Sequence, residues 1–319
     1  MTAVEIDPES GSAGTTGEAS LPLDAIHDLA RNGGVREALD ALNASLAIVR
    51  RSASPEAWLR AVARSRAHPL RDFIHRDPFT FRCFAKPRGY PGDATAVDYV
   101  LRRRDLAIRA ADPVAELHHY TTHGALARAL LHRRDLTANV ADEIANRASD
   151  GIRIFSAGCG HARELDRLRA VDTGRVRKIV AFDADPQNLE TLHRDYPRLP
   201  IAVHQGSVRQ LIEGRHLFAD MDFIHSGSLL DALPHASAGE LVRALFAALH
   251  PGGTLLITAL LEGFPEAGYL EAYMDWRILY RSRAALEGLA TTLPDDAVES
   301  VTYLQNPEGT LGSLAIQRR

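Results

Sequence analysis

Between Phe155 and Glu164 the chain reads FSAGCGHARE, a short apolar run followed by two glycines, Gly158 and Gly160, and then by a charged segment. If a strand turns into a helix here, the bare backbone lies at the carboxyl edge of an open α/β sheet, where ligands of that architecture bind. A side chain at either position would hold a ligand off. The dinucleotide fingerprint would need a third glycine where Arg163 stands, and no G-K-[ST] follows for a phosphate loop. Asp183 comes 25 residues after Gly158, at the end of the run KIVAFDA, where a carboxylate can accept hydrogen bonds from both hydroxyls of a ribose. Cys159 has no basic partner at any telling spacing, so it reads as a small residue between the glycines and not as a nucleophile.

Two further segments gather polar chemistry. RDPFTFRCFAKPRGYPGDA, Arg76 to Ala94, crowds Lys86, Arg88, Tyr90 and Asp93 into one loop, with Asp93 placed to cap a following helix. YMDWRILYR, Tyr273 to Arg281, reads as one helix carrying Tyr273, Trp276, Arg277 and Tyr280. Aromatics at such spacing usually face a core, yet Arg277 and Arg281 one turn apart suit the bidentate clamping of a carboxylate. His119 and His123 are also one turn apart, but no third ligand suggests itself, and no metal is expected.

The elements that must position these residues divide the chain. Residues 1–20 are acidic and small, without the basic start and apolar core of a signal peptide, and read as a disordered tail. Residues 21–150 read as a helical region, from patterns such as VREALDALNASLAIV and HGALARALLHRR. From 151 to 319, β-branched runs alternate with helical ones: IRIFSA, HARELDRLRA, KIVAFDA, PQNLETLHRDY, IAVHQG, MDFIHSG, SAGELVRALFAALH and TLLITAL. That alternation predicts a Rossmann-like, doubly wound α/β sheet. VESVTYLQ, NPEG and TLGSLAIQR then predict a terminal antiparallel hairpin. With a net charge of -4, a polyanionic partner has no electrostatic basis. No apolar run approaches the roughly 18 residues of a membrane span, and the two cysteines form no framework. A cytoplasmic protein with a small-molecule substrate is expected, without nucleic acid or membrane as partner, and a homodimer is left open.

A glycine turn whose ligand carries no phosphate, with an acid at the end of the second strand, points to S-adenosylmethionine. Together with the hairpin and LHPGGTLLIT, residues 152–319 resemble a class I S-adenosylmethionine-dependent methyltransferase. The acid that usually precedes the glycine turn in that family is here Ser156. FSAGCGHARE, GYPGDA (Gly89 to Ala94) and MDWRILYR (Met274 to Arg281) are similar to a narrower bacterial group that makes 3-hydroxy fatty acid methyl esters.

The resemblance implies S-adenosylmethionine held by Gly158, Gly160, Asp183 and Ala184, with Ser207 and Val208 beside adenine and Ser226 ending the fourth strand. It implies a lid from the helical region, with Arg88, Tyr90, Tyr273, Trp276, Arg277 and Tyr280 on the substrate. A carboxylate acceptor arrives ionised and needs no general base. A hydroxyl or amine would want one, and His225 and Asp231 are the candidates, with Tyr90 and Arg277 as further catalytic groups. Two other uses remain open: transfer or cyclisation of the aminocarboxypropyl group, releasing methylthioadenosine, and sensing of the cofactor without turnover.

Overall fold

A computed structural model describes residues 21–101, 112–215 and 218–319. The expected disordered tail, residues 1–20, lies outside them. The described chain opens with helices α1 (Leu23–Arg31), α2 (Val35–Ser52), α3 (Pro55–Ala67), α4 (Leu70–Ile74), α5 (Pro78–Ala85), α6 (Ala94–Leu101), α7 (Pro113–His123) and α8 (Ala125–Arg147). Their starts are written locally. Ser54, Asp77 and Asp112 each precede a proline at the first helical position and accept hydrogen bonds from the exposed N–H groups of the first turn.

The sheet and its crossovers follow as β1 (Ile152–Ala157), α9 (Arg169–Asp172), β2 (Val176–Asp183), α10 (Pro186–Asp195), β3 (Ile201–Gln205), α11 (Val208–Ile212) and β4 (Met221–Ser226). Then come α12 (His235–Ala247), β5 (Leu249–Leu260), α13 (Ala267–Tyr273), α14 (Arg283–Glu287), β6 (Val298–Gln305) and β7 (Leu311–Arg318). The seven strands lie in the order β3-β2-β1-β4-β5-β7-β6. The first five are parallel, and β7 runs antiparallel to both β5 and β6. The Rossmann-like sheet and the terminal hairpin are both as the alternation predicts.

Alternate residues of each central strand enter opposite cores, which is why these runs are apolar on both faces. Phe155, Val180, Phe182, Ile224, Leu255 and Ile257 pack with α12, while Ile154, Ile179, Ala181, Phe223 and Leu256 pack with α8 and α10. A third core fills the N-terminal helices and also takes in Tyr269, Tyr273, Met274, Ile278 and Leu311 from the far end of the chain. The two parts of the sequence therefore share buried surface.

Two expected helices are corrected. HARELDRLRA is a 3-10 turn, Arg163–Asp166, followed by the short α9. Ala162 adopts φ 49° and Arg163 is drawn into ion pairs, so a regular helix cannot start there. YMDWRILYR is not one helix either, because α13 stops at Tyr273 and Asp275 takes φ 47°. Asp275 is fixed in that left-handed turn by Arg66, at 2.6 Å, and by Lys86. Side chains on either side of it are thereby sent in different directions.

Candidate active site

At the end of β1, Gly158 and Gly160 both have positive φ, 71° and 52°. A Cβ on Gly158 would come within 2.8 Å of the Leu229 side chain, and one on Gly160 within 3.3 Å of Ala94 Cβ at the start of α6. The turn is thus bare for two reasons, the dihedral and the closeness of its neighbours. Its backbone is tied to β2: the N–H groups of Gly158 and Cys159 donate to Phe182 O, and that of Gly160 donates to Asp183 Oδ2 at 2.8 Å. Asp183 Oδ1 accepts from Asp185 N at 2.9 Å and Asn188 Nδ2 at 3.2 Å. Of the roughly four lone-pair sites on a carboxylate, three are filled.

These groups open onto a cavity of about 450 Å³, lined also by Ala184, Gly206, Val208, His225, Gly227, Leu229, Asp231 and Leu260. Its roof is the loop before α6: Tyr90, Pro91, Gly92 and Ala94 line the same space, with Trp276 and Arg277 beside them. Asp93 caps α6 by accepting from Ala96 N at 2.8 Å and pairs with Arg82, so the loop is anchored at its end. Gly92 is glycine because any Cβ there would overlap the Trp276 ring. Arg88 forks onto Asp185 and Tyr90 reaches the same carboxylate, which pins the roof to the segment just after Asp183. Burial first, and the neighbouring carboxylates second, push the Tyr90 hydroxyl up to about 12. Tyr90 is therefore a hydrogen-bond donor near neutral pH and not a phenolate base. Burial likewise raises the Cys159 thiol well above its usual range, so it stays protonated.

Behind the turn lie groups that spacing alone does not connect. Asp98 of α6, fully buried, receives two donors from Arg163, both at 2.6 Å, and faces His161 Nδ1 at 3.0 Å. Burial opposes its ionisation, but the bonds from Arg163 and His161 outweigh that and hold its carboxyl down at about 2. Glu164, with Oε1 3.4 Å from Ser156 Oγ and 3.3 Å from His225 Nε2, brings a carboxylate to the end of β1, where the sequence has Ser156. Asp231 accepts from Arg133 Nη2 at 2.8 Å and from Leu260 N at 2.9 Å. Both candidate bases are thus already engaged.

Of the remaining expected site residues, Ser207 spends its side chain on a capping box with Gln210, and Ser226 is fully buried. Neither lines the cavity, whereas Val208 and Ala184 do. Tyr273 points away into the helical core, fully buried, and Tyr280 stacks on Phe264 at 5.6 Å. The break at Asp275 separates Tyr273 from Trp276 and Arg277. Arg281 is buried, donates from Nη2 to the carbonyls of Leu230 and Leu233 and so pins the segment after β4, and it does not line the cavity. His119 and His123 stack at 3.9 Å, and among the described residues no group of three ligands suits a metal. Nor, among them, is any helix long and apolar enough to cross a membrane.

No family model and no curated protein matches the sequence. Solved structures do. The chain is similar to a possible exported protein from Bordetella parapertussis, at 16% identity over 97% of this chain and 99% of that one, with a TM-score of 0.57. It is more loosely similar to magnesium protoporphyrin IX methyltransferase from Synechocystis PCC 6803 with bound S-adenosylhomocysteine, at 11% identity over 61% and 88% and a TM-score of 0.45. The N-methyltransferase NodS from Bradyrhizobium japonicum WM9, in complex with the same compound, gives 13% identity over 70% and 97% and a TM-score of 0.45. At these identities the likeness is one of fold.

Proposed function

We propose that the chain is an S-adenosylmethionine-dependent methyltransferase acting on a small molecule, and that the acceptor is a carboxylate such as that of a hydroxy fatty acid. The observation that carries this reading is the convergence, in one roofed cavity, of a bare glycine turn and the Asp183 carboxylate at the carboxyl ends of β1 and β2. Held there, the cofactor supplies an electrophilic methyl group on a sulfonium. Asp183 would accept from a ribose hydroxyl, and Val208 and Ala184, which line the same cavity, would hold the base. Gly158 and Gly160 let the backbone approach the middle of the molecule, and Tyr90, Pro91 and Trp276 keep water out.

For a displacement of this kind the protein mainly aligns the nucleophile. His225 faces Glu164 at 3.3 Å, and Asp231 accepts from Arg133 and from Leu260 N, so each of the two candidate bases already has a partner in the protein. A carboxylate acceptor arrives ionised and needs no base, so it asks of the protein only alignment and a cation to hold it. Arg277, exposed at the rim, is a cation on the entry side.

The test is incubation with methyl-labelled S-adenosylmethionine and a panel of fatty and hydroxy fatty acids, read by mass spectrometry. Labelled methyl esters and S-adenosylhomocysteine are expected. Methylthioadenosine as the only nucleoside product, or no turnover with any acid, would overturn the proposal.

A further inference from the structure

The cavity holds one buried cation whose donors are not all spent. Arg133 of α8 is 7% exposed and lines the cavity, and its Nε is buried without a hydrogen-bond partner. Its stem lies on the glycine that follows β4, since a Cβ on Gly227 would sit 3.3 Å from Arg133 Cδ. The other cavity arginines are committed or outside. Arg163 is divided between Asp98 and Asp195, Arg134 between Asp135 and the carbonyl of Leu101, and Arg277 stands exposed at the rim. Arg133 is thus the buried guanidinium in the cavity wall that keeps an N–H unbonded, a state that costs stability and that an acceptor bound against this side chain would relieve.

We propose that Arg133 is the carboxylate-binding residue of this cavity. The proposal rests on the methyltransferase reading and names the group that would set its specificity. A guanidinium offers a planar fork that matches a carboxylate. Asp231 pairs with Nη2 alone, so the planar fork keeps donors for a carboxylate, and a dianionic phosphate would bring still more negative charge beside Asp231. Leu126, Leu130, Leu229 and Leu260 line the same space, so the rest of the ligand beside the head group is apolar. Two carboxylates share this chemistry, that of an alkyl acceptor and that of the cofactor's methionine portion.

The experiment compares two ligand pairs by calorimetry: S-adenosylhomocysteine against 5′-methylthioadenosine, and decanoate against decanol. Arg133→Met alone would leave Asp231 buried and unpaired, so the variant is the double replacement Arg133→Met with Asp231→Leu, which removes both charges. Arg133→Lys, which keeps the ion pair but loses the fork, is the second variant and stays informative if the first fails to fold. The wild type should prefer the carboxylate member of at least one pair by about tenfold or more, the scale of one charge-assisted bond. Both variants should lose most of that preference. Loss within the nucleoside pair assigns Arg133 to the cofactor's carboxylate, and loss within the decanoate pair assigns it to the acceptor's. Preferences unchanged in a folded variant, or absent from the wild type, overturn the proposal. If the wild type takes up neither nucleoside, the methyltransferase reading falls, and the decanoate pair still judges Arg133.

Discussion

A carboxylate that already accepts three hydrogen bonds is held rigidly, and Asp183 does so at the edge of the cavity. Replacing it by Ala removes a ligand contact and frees the N–H of Gly160 and the amide of Asn188, so the glycine turn itself loosens. Calorimetry on Asp183→Ala should show S-adenosylhomocysteine affinity lowered by at least about tenfold, since a bond to a charged group contributes roughly 1.5–3 kcal/mol. Unchanged affinity would remove Asp183 from the site. This residue and the two glycines were legible in the sequence because strand-to-turn chemistry is local. Arg133, Asp98 and Glu164 were not. Arg133 meets Asp231 across 98 positions and Asp98 meets Arg163 across 65, and a polar residue on an apolar helix leaves no mark that says which way it faces. Glu164 stood inside the quoted motif, but only the 3-10 turn after Ala162 carries it back toward Ser156 and His225.

Helix α6 is joined to the glycine turn by a buried charge cluster as well as by packing. Asp98 is held down at about 2, against an ordinary value of 3.8. A depressed carboxyl contributes stability that is fully present above the unfolded value and is lost as pH falls through the folded one. Acid titration of the wild type, followed by Trp fluorescence and amide exchange in α6, should therefore show a loosening step between about pH 4 and 2. Asp98→Asn should lack that step and should be less stable at neutral pH by about 3 kcal/mol, because Arg163 is left buried with a weakened partner. A variant as stable as the wild type would reduce the cluster to filler. Strand periodicity and the hairpin were readable in advance, since both depend on neighbours two residues apart or on a four-residue turn. The helix expected across Tyr273 to Arg281 was not, because its break depends on Arg66 and Lys86, about 200 residues earlier in the chain.

Taken as a whole, the molecule closes its cavity with a loop that belongs to the helices and is fastened to the sheet by Arg88 on Asp185. If ligands enter past Tyr90 and Trp276, that pair has to part before they can pass. Arg88→Ala should raise the dissociation rate of S-adenosylhomocysteine roughly tenfold, equivalent to about 1.4 kcal/mol. Stopped-flow displacement measures this, and a rate within twofold of the wild type would mean that the loop does not gate. The sheet carries a different consequence in its strand order. β7, which follows β6 along the chain, lies inside the sheet between β5 and β6, so β6 emerges from the ribosome before the strand it pairs with. Until residues 311–318 are made, the long apolar β5 presents an open edge of the kind that recruits other chains. A transcript cut short between β5 and Leu311 would thus yield a sticky, half-built sheet prone to aggregation, and chaperone demand during synthesis should last until residues 311–318 are in place.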